Sequence, residues 1–226
     1  MLLLSLLLAC TPDPGDSSRD TAPPPPQTVT ARIVLLSAST GSGAEGLEVG
    51  FPDGSVVTGA DGRAEGPVEA SSAFALPISG TGYVEHLAFG PAGDQDFTVV
   101  TYVATQSITN QVLAYLGVGW DDGTGFVVVG VDYQDLSAVE GATVSLSSGH
   151  GDAFVFGGSM PSLGQTIPEG GMGFVSFPSV EPGETTITVQ PPDGVSCQAH
   201  PGGGDMPAAP VTADTVTVAI FSCASG

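Results

Sequence analysis

Apolar runs of four to seven residues, each closed by glycine, proline or Asp-Gly, dictate a β-sheet protein. Leu47, Val49 and Phe51 alternate with Glu48 and Gly50, the period-two pattern of a strand with one face buried. Pro52-Asp53-Gly54 then turns the chain, Val56-Val57-Thr58 extends it, and Ala60-Asp61-Gly62 turns it again. Asp-Gly suits such turns because both residues tolerate positive φ. Further strands are expected at Ile33–Leu36, Ala73–Ile78, Tyr83–Phe89, Phe97–Val103, Phe126–Val131 and Thr186–Val189. The 33 Gly and 19 Pro lie between these runs rather than in uniform tracts, as an all-β chain with many tight turns requires.

One segment departs from this pattern. Between Thr105 and Gly117, Ile108, Val112, Tyr115 and Leu116 recur at helical spacing. Thr105 can cap the N-terminus, and Gly117 stands where a helix end favours a left-handed residue. The spacing predicts a three-turn helix over about 105–116, its stripe packed on a sheet.

The sequence also repeats itself. Glu45-Gly46-Leu47-Glu48-Val49-Gly50-Phe51 matches Glu140-Gly141-Ala142-Thr143-Val144-Ser145-Leu146, and Arg32–Leu36 matches Phe126–Gly130 at nearly the same offset. An offset this long marks duplicated modules rather than solenoid repeats. Val180-Glu181-Pro182-Gly183, leading into Thr186-Ile187-Thr188-Val189, completes the second copy. This order of strand, G-x-x-V-x-[FL], turn and T-x-x-x-G resembles the carboxypeptidase regulatory-like domains, small transthyretin-like β-sandwiches. The resemblance implies two tandem Ig/transthyretin-like sandwiches, over 32–118 and 119–226, bridged by the helix. It further implies modules that are non-catalytic and act as spacers, support surfaces or protein- and carbohydrate-contacting appendages.

The amino terminus carries an address. Residues 2–9 are almost wholly apolar and stop at Cys10. As a helix they would cover about 13 Å, against ~30 Å of hydrocarbon core, so residues 1–9 read as a cleaved signal and not a membrane span. Leu7-Leu8-Ala9-Cys10 resembles the lipobox of bacterial lipoproteins, which implies that Cys10 becomes the acylated first residue of the mature protein. Residues 10–31 then form a disordered tether in which Pro23–Pro26 favour polyproline II, long enough to hold the folded part up to about 60 Å from the membrane. By the same resemblance, Thr11 after the Cys points to the outer membrane or cell surface.

With Cys10 assigned to lipid, Cys197 and Cys223 remain. In an oxidising compartment they form a disulfide; two buried thiols are the other reading.

Charge excludes one class of partner. Three Arg and no Lys face 24 acidic residues, a formal net charge of −21. Such a surface repels phosphate backbones, so no nucleic acid is expected, and membrane contact must come through the acyl anchor. Solubility is one account of the acids and collection of divalent cations is another. Ca²⁺ is the candidate ion, with Asp94, Asp96, Asp121 and Asp122 as ligands in two loops flanking the helix. His86, His150 and His200 are scattered and belong to no hydrolase or zinc motif. Trp120, the single Trp, is the candidate platform for stacking a sugar. The reading is therefore a non-enzymatic cell-surface lipoprotein of structural or adhesive type, with an extracellular protein or glycan as partner. The alternative is a carbohydrate-binding surface module, with or without Ca²⁺.

Overall fold

The computed structural model describes residues 26–158 and 160–226. Cys10 and the signal-like run lie outside them. In chain order the first module contains β1 (Thr28–Ser37), β2 (Glu48–Phe51), β3 (Gly54–Val57), β4 (Arg63–Glu69), β5 (Ala73–Ser79), β6 (Glu85–Pro91) and β7 (Phe97–Val103). Helix α1 (Gln106–Leu116) follows. The second module contains β8 (Gly125–Tyr133), β9 (Thr143–Leu146), β10 (Phe154–Gly157), β11 (Met160–Leu163), β12 (Gly171–Val180), β13 (Gly183–Thr185), β14 (Ile187–Gln190), β15 (Val195–Ala199), β16 (Ala209–Val211) and β17 (Thr215–Ser225). The fold is all-β with one short helix.

The strands around β1 and those around β8 share a pairing pattern. β1 is flanked by antiparallel β4 and parallel β7, and β8 is flanked by antiparallel β12 and parallel β17. Gly46 and Gly141, equivalent in the repeat, both have φ of 80°. In the first copy β4-β1-β7 faces a layer containing β3, β2, β5 and β6. Ile33, Leu35, Leu47, Val49 and Ile78 fill the space between them, each at most 1% exposed. The first strand starts at Thr28 and not at Ile33, because its ladder with β4 extends to the Thr28–Glu69 pair. Residues 28–31 therefore belong to the sandwich and not to the tether.

The two modules share a sheet. β17 pairs in parallel with β8 on one side and with β6 on the other, so one ten-stranded sheet runs from β11 to β3. Strand periodicity shows what this does to the cores. Val127, Val129 and Val131 of β8, with Ala219 and Phe221 of β17, face the second core, and Phe89 of β6 joins them opposite Ala219. The alternate residues Val216 and Val218 lie opposite His86 and Ala88, and Ala88 belongs to the first core. The sheet thus buries one face in the first module and the opposite face in the second. That leaves the β8–β17 face directed away from the second core in need of a cover.

Helix α1 supplies the cover. Thr105 Oγ1 accepts from Ile108 N at 3.3 Å, and Gly117, at φ 69°, ends the helix with Val118 N donating to Leu113 O at 3.1 Å. Leu113, Val112 and Leu116 pack with Val84, Phe126, Phe154, Val216 and Val218 in a third apolar cluster. The stripe is rotated from the predicted one: Leu113 is its buried residue, whereas Tyr115 is 62% exposed. Consecutive helical residues sit about 100° apart, so centring the face on Leu113 turns Tyr115 outward.

Candidate functional site

The residues singled out in the sequence do not converge on one site. Cys197 and Cys223 form the disulfide, facing each other across β15 and β17 with Cα atoms 4.0 Å apart. The acidic loops make hydrogen bonds within the fold. Asp96 Oδ1 accepts from Thr30 N at 2.7 Å, and the backbone oxygen of Asp121 accepts from Thr124 Oγ1. Among the described residues no three His, Cys, Asp or Glu groups come together that could hold a metal ion, and Asp94 and Asp96 stand in a different loop from Asp121 and Asp122. Trp120 is half-buried: its ring meets Phe126 edge-on at 5.3 Å and its Nε1 donates to Thr124 O at 3.1 Å. Its indole N–H is engaged by the turn and Phe126 covers part of its ring.

A cavity of about 250 Å³ lies beneath α1. Ile108, Val112 and Leu113 form its roof, and Phe126, Val128 and Val216 part of its floor. Phe154, Phe156 and Phe174 extend the floor across β10 and β12. Tyr102 closes the β7 side, its ring edge-to-face with Phe174 at 5.5 Å. This geometry follows from the shared sheet. The helix spans from the β7 end toward β11, while the first module's β4-β1-β7 sheet stops at β7.

Three buried polar residues interrupt the apolar lining: His86, Thr101 and Ser176, at 3%, 1% and 5% exposure. His86 Nδ1 lies 2.7 Å from Val84 O. A ring nitrogen beside a carbonyl is the protonated one, so Nδ1 donates and Nε2 is left as an acceptor. Burial pushes the imidazolium pKa down to about 4, and the Val84 carbonyl only partly offsets this; the ring is neutral at pH 7. The Thr101 hydroxyl is buried without a hydrogen-bond partner among the described residues. Orphaned hydroxyls of this kind cost about 1–3 kcal/mol and are uncommon in native interiors.

Sequence reasoning missed this site. His86 and Thr101 stand in strands whose alternation accounts for them as ordinary inward positions, and no local signal marks either. His150 and His200 also engage backbone carbonyls, of Gly151 at 2.6 Å and Thr98 at 2.9 Å. Among the described residues no His contacts a Ser, Cys or carboxylate side chain in the manner of a nucleophile–base pair.

No family model and no curated protein matches the sequence. Several solved structures resemble the chain. The minor pilin GBS52 of Streptococcus agalactiae is 10% identical, with 87% of this chain and 96% of that chain covered and a TM-score of 0.32. The shaft pilin SpaA of Lactobacillus rhamnosus GG is 10% identical, with 89% and 99% covered and a TM-score of 0.28. The Bacillus anthracis TIE protein is 11% identical over 86% of this chain, with a TM-score of 0.26, and the chain spans 34% of its length. By its own architecture the protein is an all-β, disulfide-bonded chain of two sandwich modules sharing one sheet.

Proposed function

We propose that the protein is a non-enzymatic structural or adhesive module of a bacterial cell surface, held there by a lipid on Cys10. The Cys197–Cys223 bond carries this reading, because such bonds persist in oxidising compartments and this one clamps β17, the strand common to both modules. A body joined through β17 presents its surfaces as one unit at the end of the Pro-rich tether. Both Arg side chains of the described chain are engaged by acids, Arg32 with Glu65 and Arg63 with Asp61, which leaves the surface field uniformly negative and suits an uncharged or basic extracellular partner.

Phase partition of the full chain expressed in a Gram-negative host tests the anchor. The wild type is expected in the detergent phase and the membrane fraction, and Cys10→Ala in the aqueous phase. Recovery of both in the aqueous phase would overturn the lipid anchor. Digestion of intact cells by added protease then reads surface exposure; complete protection would place the protein on an inner leaflet.

A further inference from the structure

We propose that the cavity beneath α1 binds a small, uncharged, apolar molecule bearing one hydroxyl group, of the class of aromatic or medium-chain alcohols. Size sets the first limit. Apolar cavities of about 150 Å³ hold benzene, with its six heavy atoms, so about 250 Å³ accommodates roughly ten. Aromatic and aliphatic side chains make up the floor and roof, which selects apolar ligands, and the few polar groups set orientation.

Those polar groups choose the ligand chemistry. His86 Nε2 offers an acceptor, and Thr101 offers a buried hydroxyl without a partner. A ligand hydroxyl is both donor and acceptor and can serve either group. A carboxylate or phosphate finds no compensating cation there: among the lining residues none is Lys or Arg, and the His86 ring is neutral at pH 7. The formal net charge of −21 further disfavours an anion. A plain hydrocarbon fits the walls but leaves the Thr101 hydroxyl without a partner. This inference is independent of the lipid anchor and of any adhesive role.

2-Naphthol, naphthalene and 2-naphthoate separate these cases on the intact protein, with saturation followed by calorimetry and by methyl NMR shifts of Ile108, Val112 and Val128. Naphthol is expected to saturate with shifts confined to these methyls, naphthalene to bind about fivefold more weakly, and naphthoate not to bind. Thr101→Val is expected to weaken naphthol about fivefold and leave naphthalene unchanged. Val112→Trp, which fills the cavity from the helix, is expected to abolish both. Should that variant not fold, intermolecular NOEs from naphthol to the same wild-type methyls give the location. Absence of saturable naphthol binding, shifts elsewhere on the surface, or equal affinity for naphthol and naphthoate would each overturn the proposal.

Discussion

Cys197 lies directly opposite Cys223 in the antiparallel β15–β17 ladder, and β17 is the strand through which the two modules share a sheet. The cross-link therefore ties β15 to the element whose loss would separate both cores. A loop of about 27 residues closed in this way restricts the unfolded chain by about 3.5 kcal/mol in the entropy model. Urea melts of Cys197→Ala/Cys223→Ala are expected to show a loss of about 2–4 kcal/mol. A midpoint equal to that of the oxidised wild type would remove the stabilising role.

His86 and Asp132 give opposing pH responses. The folded pKa of His86 is lowered to about 4 by burial. Its contribution is present above pH 6.5 and is lost as pH falls from there through 4. Burial likewise raises the Asp132 carboxyl to about 7, so its contribution is present below pH 3.8 and is lost as pH rises through 7. Each effect is on the order of 3–4 kcal/mol at most. His86→Gln is expected to gain stability relative to wild type on acidification from pH 6.5 to 4. Asp132→Asn is expected to gain at pH 8 and to lose that gain by pH 4. Thermal melts across pH 4–8, taken as variant minus wild type, cancel the other carboxylates; flat difference profiles would contradict both assignments.

Gly62 sits at φ 72° against the carbonyl of Leu35, and its own oxygen accepts from Leu35 N at 2.9 Å. A Cβ there meets both an unfavourable backbone region and the β1 backbone. Gly62→Ala is expected to cost about 2–4 kcal/mol. Gly59→Ala, three residues earlier in the same turn with ordinary φ, is expected to stay within about 1 kcal/mol. Chemical denaturation compares the pair, and equal losses would show that the turn as a whole, rather than the contact with Leu35, sets the cost.

The acidic surface is screened by any salt, whereas a Ca²⁺ site responds to calcium alone. With 24 acids and three bases, self-repulsion opposes the folded state at low ionic strength. The melting temperature is expected to rise between 10 and 500 mM NaCl on the Debye-length scale, and to be equal in CaCl₂ and NaCl of matched ionic strength. A larger rise in CaCl₂, reversed by EDTA, would restore a specific ion site by mass action.

The strand alternation, the Asp-Gly turns and the repeat were readable because each is a local consequence of backbone geometry. Helix α1 was readable almost to the residue, since Thr105 and Gly117 cap it through their own chemistry. The orientation of Trp120 was not, because a flanking loop residue is turned inward only by the presence of Phe126. The cavity was less legible still. Thr101, Phe126, Phe174 and Val216 lie far apart along the chain, and no spacing links them.

The sequence alone determined an all-β chain in two related copies, one capped helix, a spare pair of cysteines and a strongly acidic surface with three Arg and no Lys. These follow from periodicity, turn chemistry and charge, which act over a few residues or over the whole surface. Tertiary structure decided that β17 runs between β8 and β6, that the shared sheet buries opposite faces in the two modules, and that α1 roofs the uncovered face. Which strand edge pairs with which is a contest among distant segments of similar pattern, settled by the apolar faces each pairing can bury together. The cavity, and a Thr101 hydroxyl without a partner among the described residues, arise from that settlement.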